Sequence, residues 1–306
     1  MPMPYTDDDA DLRLVQERHV AVLGYGDDGP AHALSLRDSG VDVRVGLDAD
    51  AGDRPQAEAE GLRVVTPYEA CEEADLVVVL GPVSAQPDLY AEAINPNLLD
   101  GDALVFAVGS VIRDGMLSVP GGVDVCLVSS VANGELTRRE YTEGRGSPVL
   151  LAVEQDATGQ AWPLTLSYAK AMGGLRAGGI QTTFAERVDA ARFGQQTLVG
   201  GALVPLIVAG FQTLTDAGCS VEVAYLECVH RLREAVERLQ QHGIDRHRSS
   251  GAPVVGPDVQ PRLREALDQI RAGSHGEQAA DTDAGQHPMD AVGRELRSMM
   301  PWLRHS

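Results

Sequence analysis

Apolar residues in the first half of the chain fall in short runs, each about one buried strand long. Val20–Leu23, Val41–Val45, Arg63–Val65, Leu76–Leu80, Ala103–Ala107, Val125–Val128 and Val149–Val153 are such runs. They are rich in valine and leucine and show little polar alternation, the pattern of strands covered on both faces. Between them lie segments of helical character, among them Pro30–Ser39, Pro67–Glu73 and Gln86–Ile94. Strand alternating with helix predicts a parallel sheet with helices on both faces and ligands at the carboxyl ends of its strands. From Pro163 onward the strand signal disappears. Leu164–Met172, Phe184–Asp216, Val221–Gln241, Pro261–Ala272 and Met289–Met299 read as helices, the second interrupted at Gly194, Gly200 and Gly201. Residues 246–258 and 273–288 are rich in Gly, Ser, Pro, His and Asp and read as loops.

The first strand runs directly into Gly24-Tyr25-Gly26-Asp27-Asp28-Gly29, and a helix follows at once. A second strand and an acid just beyond it, Asp48, complete a βαβ unit of the dinucleotide-binding type. Gly24 suits the tight turn, Gly26 lets a pyrophosphate approach the backbone, and Gly29 lets helix and strand pack closely. The phosphates would rest on unpaired amides at the helix N-terminus. Asp27 and Asp28 oppose this by about 1 kcal/mol per charge at 4 Å in water, unless they cap the helix and face solvent. Two domains are therefore expected: a Rossmann-type domain over residues 1–180 and an all-α substrate domain over 181–306.

Composition narrows the partners. A net charge of −20 over 306 residues argues against nucleic acid and anionic membranes. The four cysteines, Cys71, Cys126, Cys219 and Cys228, have no metal-binding spacing and read as reduced thiols. No apolar run reads as long enough to span a bilayer, and the acidic start fits no signal peptide. A cytoplasmic protein is expected, with a small-molecule substrate and neither nucleic acid nor membrane as partner.

Five longer strings carry a resemblance: GYGDDGPAHALSLRDSGVDVRVGL (24–47), TRREYTEGRGSPVLLAVEQDATG (137–159), GGLRAGGIQTTF (173–184), AYLECVH (224–230) and VGRELRSMMPWL (292–303). With their order, they make the chain resemble the ketol-acid reductoisomerases, magnesium- and NADPH-dependent enzymes of branched-chain amino-acid synthesis. The resemblance implies a Rossmann domain, an entwined helical domain and an active site completed across a homodimer. It also shows departures. The family's first pair of metal carboxylates falls on Ala191 and Gln195; of the second pair Glu227 is kept and Arg231 replaces its partner. The catalytic lysine falls on Val131 and a loop histidine on Val108, and the loop bearing a substrate serine is shortened to Arg246–Gly256. An alanine cannot ligate, and a neutral glutamine is a poor bridge between hard cations.

These departures lead to three readings. The first is a metal-independent NAD(P)H reductase of a small C=N substrate (an imine or iminium) or of an activated C=C or C=O, with no Mg²⁺. Here Glu227 would stabilise the cation, His230 would donate the proton, and Ser130 would stand at the end of the sixth strand. Arg231, Gln195, Ser249 and Ser250 would contact substrate. Tyr25, Pro82, Ser84, Gln86 and Val108 would join the glycine turn around the cofactor. Asp48 and Asp50, in a loop with three acids and one arginine, favour NADH over NADPH. Glu227–Arg231 also reads as a plain helical ion pair. The second reading is a ketol-acid reductoisomerase whose metal site is rebuilt from Glu227, Asp189 or Glu186. The third is a non-catalytic pseudoenzyme.

Overall fold

The computed structural model describes residues 3–243, 255–256, 258–273 and 288–298. It divides into two compact units, Met1–Val188 and Asp189–Ser306.

The first unit is built on an eight-stranded sheet in the order β3-β2-β1-β4-β5-β6-β7-β8. Its strands are β1 (His19–Leu23), β2 (Asp42–Gly46), β3 (Arg63–Val65), β4 (Leu76–Val79), β5 (Ala103–Phe106), β6 (Asp124–Ser130), β7 (Val149–Gln155) and β8 (Gly179–Gln181). Successive residues feed opposite faces, as the pleat requires. Val20 and Val22 of β1 and Leu76 and Val78 of β4 enter one apolar core. Ala21, Leu23, Val77 and Val79 enter the other. Continuous apolar runs arise because both faces are covered.

Two features depart from the expected sheet. β6 and β7 pair antiparallel, whereas every other pair is parallel. β8 lies beyond Pro163, where no strand is expected; it is three residues long and pairs with β7 through its backbone. Gly178 and Gly179 leave β8 almost no apolar pattern, so periodicity is silent there. Tyr5 bridges Gly179 in antiparallel sense. The chain's lone lysine, Lys170, ties the N-terminal segment down by donating to the carbonyls of Asp7 (2.7 Å) and Ala10 (2.9 Å).

The second unit is helical. Phe184–Asp216 is one 33-residue helical run that starts in the first unit. Its middle, Phe193–Leu203, is π-helical, so the glycines expected to interrupt it are absorbed into a wider turn. By length and composition the run could cross a membrane, against the expectation that no segment is long enough. Core helices of soluble proteins share this length and composition. Val221–Tyr225, a π-turn at Leu226–His230 and Arg231–His242 form the next helix. Phe211 and Tyr225 form a small core with Met289 and Leu296 of the helix Pro288–Ser298.

Candidate functional site

The glycine turn lies where β1 ends, at the point where strand order reverses between β1 and β4. Gly24 has φ +102°, and a β-carbon there would stand 2.9 Å from the amide nitrogen of Gly81. A β-carbon on Gly29 would meet the Gly24 carbonyl at 2.8 Å, whereas Gly26 faces open space with nothing within 4 Å. The open approach that a pyrophosphate needs is therefore at Gly26. It leads to the N-terminus of the helix Gly29–Asp38, whose N-cap, Asp28, makes no side-chain capping bond. Asp27 is exposed and Asp28 half-buried. Burial, and then the neighbouring Asp27, raises the Asp28 carboxyl above the usual carboxylate range.

A cavity of about 500 Å³ opens beside this turn, lined among others by Gly24, Gly46, Leu47, Asp48, Gly81 and Pro82. These residues come from the carboxyl ends of β1 and β2 and the turn after β4. Asp50 is exposed and lies outside the lining; Ser84 is exposed in the turn Val83–Ala85. Two predicted cofactor contacts are hydrogen-bonded to neighbours. Gln86 is buried, and its amide donates to the Gly81 carbonyl at 2.7 Å. Tyr25 is buried, its hydroxyl bonds Glu60, and burial and that bond raise its phenol above the usual range. Arg54, the one arginine of the acidic loop, donates to the Leu47 carbonyl at 3.1 Å and pairs with Glu58 at 3.0 Å.

A second, much smaller cavity of about 60 Å³ lies at the ends of β5 and β6, lined among others by Asp28, His32, Val108, Ser129, Ser130 and Arg187. Ser130 is fully engaged: its hydroxyl bonds Thr137 (2.8 Å) and Ser147 (3.2 Å) and accepts from the Ala132 amide (3.2 Å). Ser129 accepts from Arg187 Nε at 3.1 Å. Neither Arg187 nor His32 stands out in the sequence. The acids Glu186 and Asp189 of the same helix carry the metal expectation and draw attention past the arginine.

In the helical unit, Glu227 and Arg231 form an i,i+4 ion pair at 2.8 Å with both side chains exposed. His230 is partly buried in the same π-turn. Gln195 is exposed in the other π-segment, as is Ala191 just before it. Asp189 is buried, and Glu186 accepts from the Thr182 hydroxyl at 2.7 Å. Ser249 and Ser250 lie outside the described residues. Among the described residues, no group of three or more His, Cys, Asp or Glu is placed to hold a metal ion. The donor set of the described residues thus does not fit a magnesium pair by itself.

Residues 14–178 match the model of the acetohydroxy acid isomeroreductase NADPH-binding domain, and 184–302 that of the ketol-acid reductoisomerase C-terminal domain. A ketol-acid reductoisomerase (NADP(+)) of Kineococcus radiotolerans is 47% identical over 98% of this chain and 95% of its own length. One from Beutenbergia cavernae is 46% identical over 99% of this chain and 96% of its own. Among solved structures, an NADH-preferring ketol-acid reductoisomerase from an uncultured archaeon superposes with a TM-score of 0.89. It is 32% identical, covering 98% of this chain and 100% of its own.

Two expectations fall here. Relatives this similar over nearly the whole chain are ketol-acid reductoisomerases, so the metal-independent imine-type reductase is overturned. They carry NADP(+) in their names, which overturns the preference for NADH, and they are members of a magnesium-dependent family, which overturns the expected absence of Mg²⁺. The physical reason for the NADH error is visible in the loop. Asp48, Asp50 and Asp53 are exposed, so each opposes a 2′-phosphate through water, where a charge costs about 1 kcal/mol at 4 Å and less with salt.

Proposed function

The chain belongs to the ketol-acid reductoisomerase family, and from that membership we propose that it is an NADP(H)-dependent ketol-acid reductoisomerase. The observation that carries the proposal is 47% identity over 98% of the chain, spanning both domain types. In that reaction a 2-hydroxy-3-keto acid undergoes alkyl migration and is then reduced. When bound, magnesium would supply Lewis-acid activation of the ketone and NADPH would supply the reducing equivalent. This chain's own contribution is positioning. Gly26 and the open amides at the start of Gly29–Asp38 receive the pyrophosphate. Val108, exposed beyond β5, and the residues closing β6 frame the reacting end. Glu227 and His230 are the proposed polar groups of the helical unit, with Gln195 and Arg231 as proposed substrate contacts. The described residues of one chain do not by themselves compose the magnesium site.

The proposal extends to assembly. Leu198, Val199, Leu203, Val204 and Leu206 are exposed along the helical run, an apolar face of the kind a second copy covers in a homodimer. Cytoplasmic placement follows from the same reading. NADPH oxidation with acetolactate, measured as Mg²⁺ is titrated and then chelated, tests the function. Turnover that needs the cation is expected. Absence of acetolactate-dependent oxidation at every Mg²⁺ concentration would overturn the proposal.

A further inference from the structure

We infer that Arg187, held by Ser129, forms a carboxylate subsite that grips the acid group of the substrate at the end of β6. The substrate class rests on the reductoisomerase reading; the anion site itself rests on geometry. Arg187 stands one turn into the helix that begins at Phe184. That start is rigid: Phe184 is buried, meets the Phe106 ring edge-on at 6.4 Å, and leaves no room for a β-carbon on Gly109, 2.7 Å from its ring. The guanidinium is half-buried. Only Nε is committed, to Ser129; among the described residues no carboxylate pairs with Arg187. A partly desolvated arginine whose remaining donors face a cavity favours an anion that accepts two parallel hydrogen bonds.

The cavity's size and charge select the anion. At about 60 Å³ it is small, which suits a carboxylate head better than a nicotinamide ring. Arg187 is the one fixed cation among its lining residues. His32 is no competitor, since burial lowers it to about 4 and its Nδ1 lies 2.6 Å from the Tyr168 hydroxyl. Asp28 opposes an anion, but its carboxyl is raised, the direction that relieves repulsion. A cofactor phosphate is less suited, being bulkier and already served by the amides near Gly26.

The test uses the full-length protein, 2-hydroxyisobutyrate and its neutral amide, with calorimetry in the presence of NADPH. Wild type is expected to prefer the acid by about 10- to 100-fold, the span of a charge-assisted hydrogen-bond pair. Arg187→Gln should erase that preference and raise the KM for acetolactate, Arg187→Lys should restore part of it, and NADPH affinity should not move. Ser129→Ala keeps the charge while freeing its geometry, and should lose part of the preference even if Arg187→Gln folds poorly. Acid preference unchanged in these variants, or a loss of NADPH affinity in its place, overturns the subsite. An acid preference that depends on Arg187, in a protein that never turns over acetolactate, would overturn the reductoisomerase reading and leave the subsite standing.

Discussion

Gly134 abuts the backbone of Asp27: a β-carbon at position 134 would stand 1.9 Å from the Asp27 carbonyl oxygen. The helix Gly134–Thr142 therefore packs directly against the glycine turn, helped by Arg138, which bonds Asp38 and, at 3.2 Å, Ser35. The obstructing atom is backbone and cannot swing aside. Gly134→Ala should destabilise by about 1–3 kcal/mol, the usual cost of overpacking, and weaken NADPH binding because the turn must shift. Thermal unfolding and calorimetry on the same variant check both.

Gly26→Leu should behave in the opposite way. Nothing lies within 4 Å of the position a β-carbon would take, and Gly26 is not among the glycines with positive φ. Melting temperature should stay close to that of wild type while NADPH affinity is lost, since the side chain fills the pyrophosphate approach. A variant that binds NADPH normally would place the cofactor elsewhere.

His32 gives a pH signature. Burial lowers its pKa from 6.5 to about 4, so the folded state prefers the neutral ring. The unfolded chain then binds the extra proton first. The stabilisation is complete above pH 6.5 and is lost progressively as pH falls towards 4, by roughly 3 kcal/mol in all. His32→Gln should flatten the stability curve between those limits relative to wild type, measured by denaturant unfolding at stepped pH.

Breaking the Glu227–Arg231 pair should cost little stability. Both side chains are exposed, and an exposed i,i+4 pair contributes about 0.3–0.5 kcal/mol. Arg231→Ala should leave the melting temperature nearly unchanged. A larger loss would show that the pair is covered in the assembled protein.

Much of the fold is legible in the sequence. The valine-rich runs locate seven of the eight strands because a strand buried on both faces must be apolar throughout. Gly24 and Gly29 announce their roles by spacing alone, since each answers a backbone constraint. β8 is hidden because it is short and held by main-chain bonds, to which side-chain pattern is blind. The π-segments are hidden too: Gly194, Gly200 and Gly201 signal a break, yet the helix widens and continues.

By itself the sequence determined the family, the dinucleotide turn and the order of the two domain types, because these follow from local pattern and from strings of residues. Tertiary structure decided which polar groups are free to act. Ser130, Gln86 and Tyr25 look available in the sequence and prove committed to neighbours, whereas Arg187 is passed over and proves to line a cavity with donors to spare. Availability depends on partners more than 50 residues away, such as Ser129 for Arg187 and Tyr168 for His32, and no local pattern carries that information.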